Sequence, residues 1–322
     1  MIITKTPYRI SFFGGGTDYP EWFKKKEGQV ISTSMDKYSY IIIKDLSDIF
    51  NYKIRLRYFY REEVKNLNDV KHPSVRECLK FINLKKNLEI LHFGDLPAAT
   101  GIGSSSAFTV GLLNGLYKYK NKKITLETLY KKAIEIEQKI LREDVGSQDQ
   151  IATTVGGLNH IRFYKNNIKI DKLVLQKKNF ELFQSSLYLV YTGIQRQSKI
   201  ITNLLKKNFL LNEKYLEDIY ASTTQALKEF KREKIDLYSI GEIMNYQWKI
   251  KKNLANNVSS KKIEEIISIG KKCNVYGSKI IGAGGGGFIL FIANKKSGSE
   301  LKKKLGKNLI KVNMTESGSK II

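Results

Sequence analysis

The residues best suited to chemistry begin with Leu96-Pro97-Ala98-Ala99-Thr100-Gly101-Ile102-Gly103-Ser104-Ser105-Ser106-Ala107. Residues 88–93 before it read as a strand, and residues 108–119 after it read as a helix mixing small and apolar side chains. A glycine-rich turn into a serine-capped helix start leaves backbone N–H groups free and presents the positive end of the helix dipole. Phosphate binds to such a turn. One glycine-serine turn is also what an ordinary helix cap looks like, so other segments have to decide between the two readings.

Four further segments bear on the question. In Pro7-Tyr8-Arg9-Ile10-Ser11-Phe12-Phe13-Gly14-Gly15-Gly16-Thr17-Asp18, three successive glycines cost folding entropy and so imply close backbone approach. Arg9 suits a phosphate or a transition-state charge and Asp18 suits paired hydroxyls; the plain alternative is an Arg–Asp pair at a tight turn. Glu137 falls on the apolar stripe of its helix, four residues after Ala133 and three before Ile140. A carboxylate there must be paired or hold a cation, and magnesium wants such hard oxygens. Asp149 lies in a helix start opened by Ser147, with Gln150 at capping-box spacing. Last, Gly282-Ala283-Gly284-Gly285-Gly286-Gly287 sits between two apolar strands, which implies contact with a ligand or another loop.

The elements that must position these groups follow from periodicity. Residues 10–13, 30–34, 38–44 and 53–60 read as strands, 126–142 as one helix, and 156–164 with 168–175 as a hairpin. From about Phe180 a strand at 187–191 leads into helices at 197–211, 214–231, 240–254 and 261–273. Strands at 279–281 and 288–293, a lysine-rich helix and a final strand at 309–312 close the chain. No internal repeat is visible. At roughly 150 residues per domain, 322 residues make two, divided as 1–180 and 181–322.

Composition removes several classes. A hydrophobic fraction of 42% supports a packed core, and no apolar run approaches the roughly 18 residues of a membrane span. The N-terminus has no signal-peptide pattern, and Cys78 and Cys273 are far apart without metal spacing, so a reduced, cytoplasmic protein is expected. The net charge of +25, from 56 Lys+Arg against 31 Asp+Glu, is spread along the chain. Without an aromatic-basic motif it indicates no specific nucleic-acid partner; it suits a field drawing in phosphorylated small molecules. The turn at Gly101 to Ser106 lacks a Walker lysine and the last glycine of a dinucleotide fingerprint, and there is no protein-kinase signature set.

Taken together and in order, the segments resemble the GHMP kinases, the superfamily of galactokinase, homoserine kinase, mevalonate kinase and phosphomevalonate kinase. Its first motif resembles Pro7 to Ser11 through Gly14-Gly15-Gly16-Thr17-Asp18, its second Pro97 with Gly101-Ile102-Gly103-Ser104-Ser105, and its third Lys279 to Gly287. The resemblance implies an α+β fold of two domains, the first like domain 2 of ribosomal protein S5, the second ferredoxin-like. It implies ATP on Pro97, Gly101, Ile102, Gly103, Ser104, Ser105 and Ser106, Mg2+ on Ser105 and Glu137, and catalysis by Asp149 and Arg9. The acceptor would meet Gly14, Gly15, Gly16, Thr17, Asp18 and the glycines Gly284, Gly285 and Gly286.

Galactokinases carry Gly-Glu-His at Gly14-Gly15-Gly16, so galactose contacts are missing. The triple glycine and Tyr191-Thr192-Gly193-Ile194-Gln195-Arg196-Gln197-Ser198 look more like D-glycero-D-manno-heptose 7-phosphate kinases and L-fucokinase domains. Arg196 at that strand-to-helix turn would then hold a second phosphate. Trp248, Lys251 and Lys252 also resemble this subgroup, although Trp248 fits its helix's apolar stripe. The expectation is a Mg2+- and ATP-dependent anomeric sugar kinase for surface-polysaccharide precursors. Heptose 7-phosphate is favoured over an unphosphorylated sugar such as fucose. A protein that only binds ligand is disfavoured, because Ser105, Glu137 and Asp149 are all present.

Overall fold

The computed structural model describes residues 1–84, 86–195, 202, 213–254 and 257–322. In chain order the first elements are β1 (Ile2–Phe13), α1 (Pro20–Phe23), β2 (Gly28–Asp45), β3 (Ile54–Arg57), β4 (Arg61–Val64), α2 (Pro73–Phe81) and β5 (Leu88–Gly94). They are followed by α3 (Ser104–Tyr119), α4 (Leu126–Ile134), α5 (Gln148–Val155), β6 (Leu158–Phe163), β7 (Ile168–Lys172), α6 (Lys177–Ser185) and β8 (Leu187–Tyr191). The chain ends with α7 (Glu213–Phe230), α8 (Leu237–Leu254), α9 (Lys261–Lys272), β9 (Gly277–Ile280), β10 (Phe288–Ile292), α10 (Lys295–Leu305), β11 (Leu309–Lys311) and β12 (Lys320–Ile321).

An eight-stranded mixed sheet is built on β2, which is one bent strand where the alternation pattern suggested two. Its first half pairs with β6, its second half with β5, and β1 runs antiparallel beside both. Register shifts in β1 between Pro7 and Arg9, and between Ser11 and Phe13, break the regular ladder of the pair. Helix α3 lies close on this sheet because it carries glycine at the contacts. A Cβ at Gly111 would come 2.7 Å from Thr6 Oγ1, and one at Gly115 would come 2.9 Å from Ile43 Cδ1. That explains the small residues scattered through an otherwise apolar helix.

The second sheet is antiparallel in the order β11-β8-β10-β9. Its side chains alternate between two cores, as strand geometry requires. Leu189, Phe288 and Leu290 pack with Phe12, Phe13, Phe183 and Phe230. Val190, Ile289 and Phe291 pack with Ile263, Ile266 and Leu301 of α9 and α10. The first of these cores joins the two sheets. The last strand returns to the first sheet, where β12 pairs with β1 through Thr4↔Ile321 and Lys5↔Lys320, so a division at residue 180 does not separate the two sheets completely.

The expected helix over 126–142 stays α-helical only to Ile134. Residues Glu135–Ile140 widen into a π-helical turn, closed by Leu141 N donating to Ile136 O at 2.8 Å. The expected helix over 197–211 lies outside the described residues apart from Thr202.

Candidate active site

Helix α3 begins at Ser104, and its N-cap position is held by Gly103 in left-handed conformation (φ 71°). No side chain caps the helix, so the serine cap expected from sequence is not formed. The glycines are required by the backbone's surroundings. A Cβ at Gly101 (φ 80°) would sit 2.4 Å from Ile281 O, and one at Gly103 would sit 3.1 Å from Arg9 Cγ and 3.3 Å from Asp149 Oδ2. Ile102 is fully buried and anchors the turn, its carbonyl accepting from Arg9 N at 3.1 Å. Pro97 lines the cleft, and its carbonyl accepts from Thr100 Oγ1 at 2.7 Å.

The π-helical turn delivers Glu137 beneath this loop. Its Oε2 accepts from Ser106 Oγ at 2.9 Å and from Gln150 Nε2. Its Oε1 is buried with no hydrogen-bond partner. Burial, then the charge of Glu143, pushes the carboxyl up to about 7. An orphaned, desolvated carboxylate oxygen beside a phosphate-binding loop fits a hard divalent cation. Mg2+ takes one or two carboxylates and completes its shell with water and substrate phosphates; among the described residues no cluster of three His, Cys, Asp or Glu side chains offers a denser site. Ser106, not Ser105, touches Glu137, while Ser105 is exposed on the same turn and lines the cleft. Gln150 is thus committed to Glu137, and Ser147 Oγ accepts from Gln138 Nε2, so the expected capping box is absent.

Arg9 pairs with Asp149 and not with Asp18. Its Nε donates to Oδ1 at 2.7 Å and its Nη2 to Oδ2 at 2.8 Å, while Nη1 donates to Gly101 O. The pair ties β1, the phosphate loop and the first turn of α5 together. Asp18 is buried nearby, accepting from Gly16 N at 3.0 Å and Gln148 N at 3.3 Å. Burial, and secondarily the Asp149 charge, raises its carboxyl above the usual range. Gly146 makes room for it, since a Cβ there would come 1.9 Å from Asp18 Oδ2.

These groups line one cavity of about 1080 Å³. Sequence reasoning assigned no site role to several of its walls, although it named Lys279 and Trp248. Lys279 reaches in from β9 and donates to Phe12 O at 2.7 Å. Trp248 of α8 lines it with a buried, unpartnered indole N–H, and Gln148 with an unpartnered carbonyl oxygen. At the far end Tyr58, His72, His92 and Phe108 form an aromatic wall, His72 stacked on Phe108 at 4.7 Å and His92 edge-on to it at 4.9 Å. Burial holds both histidines below their ordinary range, His92 at about 4, so the wall is uncharged at neutral pH. Glu62 fixes it, accepting from Tyr58 Oη at 2.6 Å and His72 N at 3.1 Å. Histidines spaced far apart in sequence gave no local signal for this wall.

The glycine-rich acceptor segments divide. Gly15, Gly16 and Asp18 line the cavity. Gly14 instead presses on β2, where a Cβ would come 1.9 Å from Gln29 O, and Thr17 is fully buried, its single hydroxyl proton shared between Gly14 O and Gln29 O, each 2.9 Å away. Thr17 therefore secures the turn and does not face the cavity. Gly284, Gly285 and Gly286 also face away from it. A Cβ at Gly284 would meet Val258 at 2.5 Å, one at Gly286 would meet Ile194 at 2.8 Å, and Gly285 N donates to Val258 O. The partner of this loop is another loop, as Gly282 against Gly101 and Gly287 against Thr100 show. Arg196 lies outside the described residues.

The model of the GHMP kinases N-terminal domain matches residues 71–157, and that of the GHMP kinases C-terminal region matches residues 223–311. The D-glycero-alpha-D-manno-heptose 7-phosphate kinase of Campylobacter jejuni is 30% identical over 321 residues, 95% of this chain and 93% of that protein. A galactokinase of Pyrococcus furiosus is 24% identical, covering 91% of this chain and 89% of its own. Among solved structures, a D-glycero-D-manno-heptose 1-phosphate kinase from Bacteroides thetaiotaomicron superposes with a TM-score of 0.81 at 18% identity, over 100% of this chain and 99% of that one.

Proposed function

The chain belongs to the GHMP kinases and is an ATP-dependent sugar kinase, and from that premise we propose that it phosphorylates the anomeric hydroxyl of D-glycero-D-manno-heptose 7-phosphate. The product is the 1,7-bisphosphate, a precursor for surface polysaccharide. The observation that carries this reading is the end-to-end match, at 30% identity, to a heptose 7-phosphate kinase. The cavity supports it: the phosphate loop, Asp18 and the Arg9–Asp149 pair line one space of about 1080 Å³.

In this reading the nucleobase stacks on the uncharged wall of His72, Phe108 and Tyr58, and its phosphates lie along Gly101 to Ser106 at the N-terminus of α3. Glu137 with Ser105 or Ser106 holds Mg2+, which neutralises phosphate charge when bound. Asp149 receives the proton of the attacking hydroxyl, and Arg9 holds that carboxylate in place. Asp18 and the backbone at Gly15 and Gly16 face the sugar hydroxyls. Arg196 holds the remote phosphate. The reaction runs in the cytoplasm, in keeping with two buried free thiols, Cys78 and Cys273. No helix among the described residues is long and apolar enough to cross a membrane.

The second reading, a neutral sugar such as fucose, is favoured by Asp18, a buried carboxylate that suits hydroxyls and repels phosphate. A coupled ADP-release assay over heptose 7-phosphate, fucose, galactose and mannose separates the two. Heptose 7-phosphate should give the highest kcat/KM, and a neutral sugar turned over faster would replace it as the substrate.

A further inference from the structure

We propose that Lys279 is a second catalytic cation of this kinase: its ammonium meets the negative charge on the transferring phosphoryl group, while Arg9 acts as the positioning residue for Asp149. The proposal rests on the family's phosphoryl transfer and not on which sugar accepts.

Arg9 lines the cavity, but its charge is committed within the protein. All three of its guanidinium nitrogens donate to protein acceptors, two of them to Asp149 and one to Gly101 O, and its charge is matched by the same carboxylate. It is 4% exposed. Two of its five N–H donors remain, but its charge is already met by Asp149. Lys279 differs in how its charge is met. It is 7% exposed and lines the cavity, and it makes one hydrogen bond, to Phe12 O. An ammonium carries three donors, so two remain for a ligand. Among the described residues no carboxylate lies within ion-pair distance of its Nζ.

Its position is costly without an anion. Burial, and then the positive charge of Arg9, pushes the ammonium down to about 7. Asp18, Asp149 and Glu137 from the first half of the chain and Lys251 from α8 also line the cavity, yet Asp149 is already matched by Arg9 and Glu137 lies under the phosphate loop. A desolvated cation beside a like charge is retained at little benefit unless something negative arrives. The loop at Gly101 to Ser106 opens into the same cavity and brings phosphate there. In the transfer, the acceptor oxygen bonds to the terminal phosphorus as the bond from phosphorus to the bridging oxygen breaks. The electron pair leaves with ADP, and the hydroxyl proton passes to Asp149. Lys279 keeps its proton throughout and contributes charge and two donors, and one preorganised donor of this kind is worth roughly 10²–10³ in kcat.

The test uses the full chain with Lys279→Met and Lys279→Arg. Lys279→Met should lower kcat for heptose 7-phosphate by about 10²–10³-fold. It should leave ADP affinity within about threefold and lose most of the added affinity for Mg·ADP with aluminium fluoride, a readout independent of the acceptor. At pH 6 it should melt at or above the wild-type temperature, because it removes a buried unpaired charge. The wild-type kcat/KM should fall above about pH 7 as the free enzyme's ammonium deprotonates, and Lys279→Arg should carry activity to higher pH. Wild-type turnover and wild-type aluminium fluoride affinity in Lys279→Met would overturn the proposal. So would a Lys279→Met protein that melts lower and loses ADP affinity in proportion, which would make the lysine a tie to Phe12. If Lys279→Met does not fold, an alkaline limb left unmoved by Lys279→Arg overturns it alone.

Discussion

Arg9 holds Asp149 through two parallel hydrogen bonds, 2.7 Å from Nε to Oδ1 and 2.8 Å from Nη2 to Oδ2, across a separation of 140 residues. The grip fixes the carboxylate's direction and leaves lone pairs on each oxygen for a proton. Asp149→Asn keeps the shape and removes the charge. It should lower kcat by roughly 10²–10⁴-fold with little change in ATP affinity. A loss under about threefold would remove Asp149 from the chemistry. Because the two residues act as a unit, Arg9→Ala and Asp149→Ala should be far from additive in kcat.

Glu137 should couple metal to stability. Its carboxyl is raised from 4.5 to about 7 in the folded protein, first by burial. The folded state therefore binds more protons than the unfolded one between these values. Stability falls as pH rises from about 4.5 to 7 and stays lowered above. Glu137→Gln should not show this decline in melting temperature, and it should lose Mg2+-dependent use of ATP. Mg·ADP at pH 7.5 should raise the melting temperature of the wild type more than that of Glu137→Gln; equal rises would take the metal away from this residue. Ser105→Ala and Ser106→Ala, measured side by side, decide which hydroxyl serves the metal.

The glycines should separate by role. Gly284→Ala forces a side chain onto Val258 at φ 106° and should destabilise the protein, lowering all activities together. Gly15 has no neighbour of its Cβ position closer than 3.7 Å. Gly15→Ala should fold normally and raise KM for the acceptor with KM for ATP unchanged. A lower melting temperature in Gly15→Ala would contradict its place on the cavity wall.

Arg196→Ala tests the remote phosphate. It should raise KM for heptose 7-phosphate well above any change for ATP. Equal effects on both substrates would make Arg196 a surface residue.

The phosphate loop and Glu137 were legible because their residue types are costly where they stand: glycines in a strand-to-helix turn, and a carboxylate on an apolar stripe; Asp149, a favourable charge at a helix start, stood out only through the family resemblance. The loop at 282–287 was legible as a close approach, yet its partner was not. Whether a glycine loop meets a ligand or another loop depends on Thr100 and Gly101, far away in sequence. Lys279 opened the third motif but was given no role, and only the packing of β9 against the end of β1 reveals that it is desolvated. β2 read as two strands because alternation lapses near Met35 and Asp36, where Met35 bridges to Met314 and Asp36 Oδ1 accepts from Asn313 N. The π-helical turn follows from tertiary placement of Glu137, which no periodicity of 3.6 can signal.

The substrate assignment is tested most directly by phosphorus NMR of the product formed from ATP and D-glycero-D-manno-heptose 7-phosphate. Two phosphoester resonances should appear, the original one at position 7 and a new one coupled to the anomeric proton, with ADP formed in equal amount. A product phosphorylated elsewhere, or no transfer to this acceptor while a neutral sugar gains an anomeric phosphate, would contradict it.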